Sequence, residues 1–533
     1  MRQGPAQQPK GLQQGPLLQR PDAEILASLE MALAAMARAF PVPASHRKDM
    51  PFAVRDLSRL LTAERSGLAQ PYWAAPRFVA AYMHFFLPWN LYRLAWLLPG
   101  LALDLAPGSR VLDVGSGPLT FPLALWCARP DLRAVPLHFV CSDVAVKPME
   151  HGRNAFINLS GGDSPWTFEL VRAPLEKALR IRKTPFSLVT ACNVFNELAA
   201  RTTQERSLPR RIDELVELVR SALAPGACFF LLEPGTRLGG KITALTRNSG
   251  MGKGLRVLAP CTHSGPCPTL RDESHQETPG SRSRFPAEPE YSGWCHFIHP
   301  TEQVPEPLAA LAQKARLEKN HLALSCLLLR DTRDVNDGTH TADPALSAPA
   351  APAATAATAT GAGSMDELDE LEALYREIMA EDTPEEDRDL AADHTIHPLA
   401  ARTEAPCPSG KVRIISGPIK LPGREKPARY ACGNCGLVLL PDYGDAHSGY
   451  LIDVSQTREA GRDGKSGALV LRSSSPDRAG GITAPASPTG AGRAPGGGKA
   501  TQGRTTSGTN TPPASQRKKS PPKTGRGHYR NDQ

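Results

Sequence analysis

Five cysteines have the spacing of metal ligands. Two lie in a proline- and glycine-rich loop, APCTHSGPCP, a third lies in WCHF, and two form a C-x-x-C step in YACGNCG. In chain order they are Cys261, Cys267, Cys295, Cys432 and Cys435. Thiolates at such spacings bind zinc or iron, and one zinc ion or one four-iron cluster on four thiolates both fit. The sequence therefore predicts a metal site that joins loops within residues 258–297 to a later segment.

The cysteines are expected to bind metal rather than to form disulfides. The chain has 11 cysteines, and no hydrophobic signal core opens it. A chain without a secretory signal is expected in a reducing compartment, where clustered cysteines bind metal. The apolar stretch of residues 78–103 is interrupted by polar residues and proline, so buried helices are expected there, with no membrane association. An amphipathic, acid-poor transit peptide is missing, so we expect a bacterial cytoplasm, with a mitochondrial matrix as the alternative.

A second pattern, VLDVGSG, predicts a strand that ends in a tight glycine turn around a ligand. An acid, Asp113, precedes Gly115 and Gly117, and Leu119 stands where many such loops have a third glycine. Dinucleotide-binding strands are neutral before their glycines, whereas an acid there is typical of S-adenosylmethionine-dependent methyltransferases. Asp143 ends the next apolar run, where a carboxylate can accept hydrogen bonds from ribose hydroxyls.

Two further apolar runs place polar residues at the same predicted edge. TACNVFNEL contributes Asn193, Asn196 and Glu197, and CFFLLEPGT contributes Glu233. Because the carboxyl ends of parallel strands meet at one edge, a single cleft is predicted. The cofactor-binding residues are predicted to be Asp113, Gly115, Gly117, Asp143 and Asn193. No motif identifies a catalytic residue, and Cys192 in the same run is expected to be a small buried hydrophobe.

Composition and periodicity divide the chain into a folded centre and low-complexity segments. An N-terminal helical region at 22–105 precedes residues 106–330, where short apolar runs alternate with helices. That alternation is typical of a doubly wound, mainly parallel α/β sheet, a Rossmann-like fold. Folded sequence resumes at 411–455, which carries the last cysteines as a small metal-binding extension. The segments predicted to be disordered or low in complexity are 1–21, 331–410 and 456–533.

Two of these segments have distinctive charge. An acidic amphipathic helix is predicted at 365–382, either to bind a partner or to stand alone in solvent. From Arg493 onward the tail has nine Lys or Arg and one acid. Such a tail suits nucleic acid, and a solubilising role is the alternative. Six basic residues near the last cysteines are candidate phosphate contacts or a solvated face: Lys411, Arg413, Lys420, Arg424, Lys426 and Arg429.

Several of these motifs together resemble a known family. VLDVGSGP, NVFNEL, LLEPGT, LAPCTHSGPCP, WCHF and RIISGPIK before YACGNCG are similar to the methyltransferase-like proteins of the small mitochondrial ribosomal subunit and their bacterial relatives. The resemblance covers roughly residues 70–330 and 411–440. It implies an S-adenosylmethionine-dependent methyltransferase fold that carries a four-iron, four-sulfur cluster. It also implies binding to small-subunit ribosomal RNA and the pre-ribosomal small subunit, with a monomer expected outside the ribosome.

Carried over to this chain, the resemblance implies Cys261, Cys267 and Cys295 as the first three cluster ligands. The fourth ligand in the family is a cysteine with a glycine four positions later, which Cys432 and Gly436 match, with Cys435 as substitute. Cys326 and Cys407 are the remaining candidates. The two histidines beside ligands, His263 and His296, are expected to support the ligands or to face RNA. The segment between residues 330 and 411 departs from the family.

Three functions remain open at this point. The first is a methyltransferase that acts on small-subunit ribosomal RNA in assembly or translation. The second is a non-catalytic assembly factor in which the cluster orders the RNA-binding loops, because metal binding supplies folding free energy. The third is a zinc-stabilised methyltransferase for small molecules. Turnover separates the first two, and colour and metal content separate iron from zinc.

Overall fold

The computed structural model describes residues 15–62, 73, 75–181, 184–196, 207–270, 293–333, 396–397 and 410–474. The predicted acidic helix at 365–382, Glu197, Cys407 and the tail from Arg493 lie outside the described residues. In the described part, no helix is long and apolar enough to cross a lipid bilayer.

The described residues between 22 and 105 form a series of helices. Asp22 caps the first helix, because its Oδ1 atom accepts a hydrogen bond from the Ile25 amide at 2.9 Å. A five-residue π-helical segment, Tyr82–Phe86, interrupts the helical run before α5. The helices are α1 Ala23–Ala39, α2 Ala44–Arg47, α3 Met50–Thr62, α4 Pro76–Ala81 and α5 Leu87–Leu97. Apolar residues cover most of α5, which is buried on nearly every side.

The centre of the protein is an eight-stranded sheet with the order β3-β2-β1-β4-β5-β8-β6, in which β7 also pairs with β8. The pairs among β1 to β5 are parallel, and β8 runs antiparallel to its three neighbours. The strands are β1 Ser109–Val114, β2 Leu137–Asp143, β3 Thr167–Arg172, β4 Phe186–Cys192, β5 Leu223–Pro234, β6 Leu255–Ala259, β7 Phe297–Pro300 and β8 His321–Asp331.

Helices cover both faces of this sheet. They are α6 Thr120–Ala128, α7 Val146–Ser160, α8 Leu175–Ala178, α9 Leu208–Ala222, α10 Arg237–Gly252 and α11 Glu306–Ala315. Successive residues of β5 face opposite cores: Phe230 packs with the N-terminal helices, α6 and α7, and Phe229 packs with α8, α9 and α10. Burial on both faces explains why these strands are continuous apolar runs. The protein has a mixed α/β, parallel-rich Rossmann-like fold, as the alternation predicted.

A second sheet of seven strands follows, with the order β13-β10-β11-β12-β15-β14-β9. Its strands are β9 Ile396–His397, β10 Lys411–Ile414, β11 Arg429–Gly433, β12 Gly436–Leu440, β13 Leu451–Asp453, β14 Thr457–Asp463 and β15 Leu469–Ser473. The predicted start of disorder at residue 456 is therefore wrong. The sequence TREAGRD of β14 has a polar, loop-like composition, and its buried positions are Thr457, Gly461 and Asp463 rather than apolar side chains.

Backbone hydrogen bonds join the second sheet to the rest of the fold. The His296 amide donates to the Ile415 carbonyl at 3.2 Å, next to β7. The Leu17 amide donates to the Gly449 carbonyl at 3.1 Å, and Leu17 is fully buried. Residues 15–21 were predicted to be disordered with the rest of 1–21, and this part of the prediction is wrong. Their two leucines, in GPLLQR, reach a core that local composition did not reveal.

Candidate functional site

Asp113 lies at the carboxyl end of β1 and fastens the glycine loop to β4. Its Oδ2 atom accepts a hydrogen bond from the Ser116 hydroxyl at 2.5 Å, and its Oδ1 atom accepts one from the Thr190 hydroxyl at 2.6 Å. The side chain is 1% exposed. Burial raises the pKa of Asp113 to about 6, although both hydrogen bonds oppose the shift. Through these two hydrogen bonds Asp113 holds the loop after β1 against β4.

The two predicted glycines occupy left-handed backbone conformations that favour glycine. Gly115 has φ +63°, and a Cβ atom there would lie 1.8 Å from a methyl carbon of Val194 in the loop after β4. Gly117 has φ +51°, and among the described residues only the Trp73 side chain comes within 4 Å of a hypothetical Cβ atom, at 3.9 Å. Gly115 therefore allows two loops to pack, and Gly117 leaves room for a ligand.

Asp143 connects the end of β2 to the same loop. Its Oδ2 atom accepts a hydrogen bond from the Gly117 amide at 3.0 Å, and its Oδ1 atom accepts one from the Ala145 amide at 3.0 Å. Burial raises the pKa of Asp143, and these amides oppose the rise. The carboxylate remains half-buried at the sheet edge. It can accept a further hydrogen bond there, because each carboxylate oxygen has more than one acceptor site.

Leu119 adopts φ +57° and ψ +45°, a left-handed conformation in which a non-glycine residue is strained. It lies immediately before α6, at the position where many such loops have a third glycine. The side chain is fully buried. Helix α7 packs directly on this turn, since a Cβ atom on Gly152 would lie 2.2 Å from the Pro118 carbonyl oxygen. The turn therefore has the backbone conformation that favours glycine, although a buried leucine occupies the position.

The end of β4 contributes Asn193, another left-handed residue, with φ +58°. Its amide donates to the Leu232 carbonyl at 2.7 Å, and its Nδ2 atom lies 3.5 Å from the Oδ1 atom of Asn90 in α5. In the loop that follows, the Phe195 and Asn196 amides donate to the buried carboxylate of Glu233 at 2.9 and 3.3 Å. All five predicted cofactor residues therefore lie along one edge of the sheet, the edge where open α/β sheets bind ligands.

Buried Arg247 of α10 organises the first cysteine loop. Its Nε atom lies 3.2 Å from the Sγ atom of Cys261. Its Nη2 atom donates to the carbonyl oxygens of His263 at 3.1 Å and Gly265 at 2.7 Å. The guanidinium lowers the pKa of the Cys261 thiol, although burial, the larger effect, raises it. Arg247 thus places a fixed positive charge against the loop that contains Cys261 and Cys267.

Cys295 lies within electrostatic range of the other thiols. Burial raises the pKa of the Cys295 thiol well above its usual value, and negative charge on Cys261, Cys432 and Cys267 raises it further. Buried Arg413 of β10 faces the same group: burial lowers the pKa of Arg413 to about 10, and charge on Cys261 and Cys295 opposes that shift. The four thiols predicted as ligands are therefore neighbours, with two buried cations beside them.

Cys432 and Cys435 face different cores. Cys432 of β11 packs against the core shared with the first sheet, and its Sγ atom lies 3.3 Å from the Nε2 atom of His263. Cys435 lies in the turn between β11 and β12 and packs against the separate core of the second sheet. The contacts given for Cys432, with His263 and with the shared core, keep it as the predicted fourth ligand and Cys435 as its substitute. The reserve candidate Cys326 is a buried residue of β8.

Among the described residues, no three His, Cys, Asp or Glu side chains are close enough together to hold one metal ion. A zinc ion needs such convergence, whereas the thiolates of a four-iron cluster each bind a different iron and stand farther apart. The predicted metal site therefore stays a prediction, for zinc and for a four-iron cluster alike.

Burial bears on two predictions about neighbouring polar residues. His263 is 5% exposed, so it supports Cys432 and does not face RNA; burial and Arg247 lower the pKa of His263 to about 4. Three of the six candidate phosphate contacts bind groups of the protein itself, Arg413 and Arg429 from buried positions and Arg424 from a half-exposed one. Arg413 donates to the Gly449 carbonyl, Arg429 to the Gly444 carbonyl and Arg424 to Asp442. Lys411, Lys420 and Lys426 are exposed.

Sequence reasoning missed Arg247, Asn90 and Trp73. Arg247 gave one signal: it shares a face of α10 with small residues such as Gly240 and Thr243, where a long charged side chain requires buried partners. Asn90 lies in an otherwise apolar helix, and 103 positions of sequence separate it from Asn193, whose side chain it contacts. Contacts between such distant residues depend on the tertiary fold.

No protein-family model and no curated protein matches the chain. Among solved structures, a methyltransferase from Pyrococcus furiosus is 15% identical over 29% of this chain and 68% of its own, with a TM-score of 0.21. TrmN from Thermus thermophilus is 20% identical over 32% of this chain and 46% of its own, with a TM-score of 0.22. A precorrin-6y C5,15-methyltransferase from Geobacter metallireducens is 12% identical over 33% and 73%, with a TM-score of 0.21. The fold assignment rests on strand order and register.

Proposed function

We propose that the protein binds S-adenosylmethionine at the edge formed by β1, β2 and β4 and acts as a methyltransferase on small-subunit ribosomal RNA. The observation that carries this proposal is the open space in front of Gly117, bordered by the half-buried carboxylate of Asp143. A carboxylate at the end of the second strand suits ribose hydroxyls, and glycine permits close approach of the ligand.

The four thiols support a second part of the proposal, a four-iron, four-sulfur cluster held by Cys261, Cys267, Cys295 and Cys432. Such a cluster with four thiolates is anionic, and buried Arg247 and Arg413 supply compensating charge. Bound there, the cluster would fasten the loop after β6 to β7 and to the second sheet. Its contribution is to order these loops, since metal binding stabilises the folded state.

A non-catalytic assembly factor is the second candidate function. Asp113 and Glu233, two carboxylates at the cofactor edge, each accept two hydrogen bonds from neighbouring groups and are almost fully buried. This arrangement assigns them to holding loops rather than to removing a proton. The exposed Lys411, Lys420 and Lys426 suit phosphate contacts in either function.

Calorimetric titration with S-adenosylmethionine tests cofactor binding. Gly117→Ala should weaken binding about tenfold or more, because a methyl group would enter the open space. Gly108→Ala is the matched control: Gly108 also has a positive φ, +81°, and open surroundings, but lies at the other end of β1. Equal affinities for both variants would overturn the proposed site.

Metal analysis and a turnover assay test the remaining parts. Protein purified without oxygen should contain about four irons per chain and show broad visible absorbance, as a cluster on four cysteines requires. Stoichiometric zinc without colour would support the small-molecule alternative. Methyl transfer to small-subunit ribosomal RNA separates the enzyme from the assembly factor, since only the enzyme turns over.

A further inference from the structure

The π-helical segment and α5 present a half-buried stripe of side chains. Tyr82, Phe86 and Asn90 are four residues apart and share one helical face, while residues between them, such as Met83 and Leu87, are fully buried. The rings of Tyr82 and Phe86 stack, with centroids 5.9 Å apart and an interplanar angle of 28°. A π-helical turn within a helix frequently marks a functional site.

One end of this stripe meets the glycine loop. The ring of Trp73 lies 4.7 Å from that of Tyr82, measured between centroids. The same indole has its Cζ2 atom 3.9 Å from the position of a Cβ atom on Gly117. Trp73, Tyr82 and Phe86 therefore form a continuous aromatic row, and that row starts where the cofactor loop leaves open space.

The other end of the stripe meets the polar end of β4. The Oδ1 atom of Asn90 accepts a hydrogen bond from Arg93 at 2.7 Å and faces the Nδ2 atom of Asn193 at 3.5 Å. Within the described residues, the Oδ1 atoms of Asn193 and Asn196 are buried and have no hydrogen-bond partner. Asn196 is 7% exposed. Buried carbonyl oxygens of this kind are costly unless a donor reaches them, so these two atoms point to a ligand with N–H groups.

We propose that this aromatic row, together with Asn193 and Asn196, forms the acceptor subsite. The subsite would hold an unstacked nucleobase of single-stranded RNA. The base would stack on the Tyr82–Phe86 row, and its N–H groups would donate to the Oδ1 atoms of Asn193 and Asn196. A nucleobase combines a flat aromatic face with edge donors, which matches both features. Taking a base out of its stack is the general solution for enzymes that modify bases. The inference rests on the proposed function and names its substrate class.

The affinity difference between two probes measures the contribution of the base. One probe is a single-stranded oligoribonucleotide of mixed sequence, and the other is an abasic oligomer of equal length and charge, each titrated with S-adenosylmethionine present. In wild-type protein the base-bearing RNA should bind about tenfold or more tightly than the abasic oligomer, as stacking on aromatic side chains predicts. Tyr82→Leu should bring this ratio close to one.

Phe52→Leu is the matched control. Phe52 is an aromatic residue of α3 that is 59% exposed and belongs to the same helical region, so its loss should leave the ratio unchanged. Asn90→Ala provides a second variant without loss of an aromatic ring, and it should lower the ratio severalfold. Far-ultraviolet circular dichroism and the melting temperature establish that each variant folds.

The outcomes separate the inference from the proposed function. If wild-type protein binds no S-adenosylmethionine, the proposed function fails, whatever the RNA ratio. If the protein binds the cofactor but Tyr82→Leu and Asn90→Ala both keep the wild-type ratio, the acceptor subsite is wrong. Loss of cofactor affinity in Tyr82→Leu would assign the aromatic row to the adenine of the cofactor and would also overturn the inference.

Discussion

The Nε2 atom of His263 lies 3.3 Å from the Sγ atom of Cys432, although 169 residues separate the two along the chain. This contact joins the loop after β6 to the β11–β12 hairpin of the second sheet. A second hydrogen bond, from the Thr262 hydroxyl to the Cys432 carbonyl at 3.4 Å, accompanies it. Burial holds His263 neutral, and the tautomer of its ring decides whether Nε2 donates to the cysteine sulfur or accepts from the thiol.

The different packing of Cys432 and Cys435 predicts a difference in iron content. Cys432→Ser should lose most of the iron and visible absorbance, because its side chain lies with Cys261 and Cys295. Cys435→Ser is the matched control and should keep both, since that thiol packs within the core of the second sheet. Iron and sulfide analysis of protein purified without oxygen measures this. Retained iron in Cys432→Ser together with loss in Cys435→Ser would reverse the assignment.

Arg247 should contribute to stability through its contacts with the cysteine loop. Arg247→Gln leaves the His263 and Gly265 carbonyls without a charged donor, which should lower the free energy of unfolding by about 2–4 kcal/mol. Arg210→Gln is the control, because its ion pair with Glu214 is exposed and should contribute about 0–0.5 kcal/mol. Urea unfolding measures both. Equal effects for the two variants would mean that Arg247 does not hold the loop.

Asp113 should make stability depend on pH in a direction opposite to that of a salt-bridged acid. Its pKa rises from 3.8 to about 6 on folding, so the folded protein binds this proton more tightly than the unfolded chain does. The Asp113 contribution is therefore most favourable below pH 3.8 and falls as pH rises toward 6. Relative to wild type, Asp113→Asn should remove a decline of about 3 kcal/mol across this interval.

Unfolding by urea at several pH values measures that decline. Asp131→Asn is a control of opposite sign, because a hydrogen bond from Arg129 lowers the pKa of this acid. Asp131 stabilises the fold above its unfolded pKa and loses that effect as pH falls; the effect is small since the side chain is largely exposed. A pH profile for Asp113→Asn that runs parallel to that of wild type would contradict the expected linkage.

Two substitutions of Leu119 distinguish the stability gained by burying its side chain from the stability lost to its strained backbone. Leu119→Ala removes a fully buried side chain and should cost about 2–5 kcal/mol, while the left-handed conformation stays strained. Leu119→Gly loses the same side chain but relieves the strain, so it should be about 1 kcal/mol more stable than the alanine variant. Thermal and urea unfolding of the pair measure the difference. An alanine variant more stable than the glycine variant would show that the turn relaxes without glycine.

The strands of the first sheet could be predicted because burial on both faces makes each one a short apolar run. The strand β14 could not, because its buried positions are polar or small. The resemblance placed Cys432 before Cys435 as fourth ligand, whereas the different cores that the two residues contact depend on the register of the hairpin. The glycine turn after β1 was predictable from Asp113 and Gly115 because a glycine turn after a strand is a local feature. Asn90 and Arg247 reach the sites through long-range packing.

The hydrogen bond from Leu17 to Gly449 has a consequence for the order of events during synthesis. Leu17 leaves the ribosomal tunnel hundreds of residues before its partner exists, and domains generally fold as they emerge. Cys261, Cys267 and Cys295 are likewise made before β11 can cover them with Cys432. For that interval the three earlier thiols stand uncovered at the side of a nearly finished sheet. For the cluster proposed above, this window would admit iron without any opening of the mature protein, before β11 and β12 close the site.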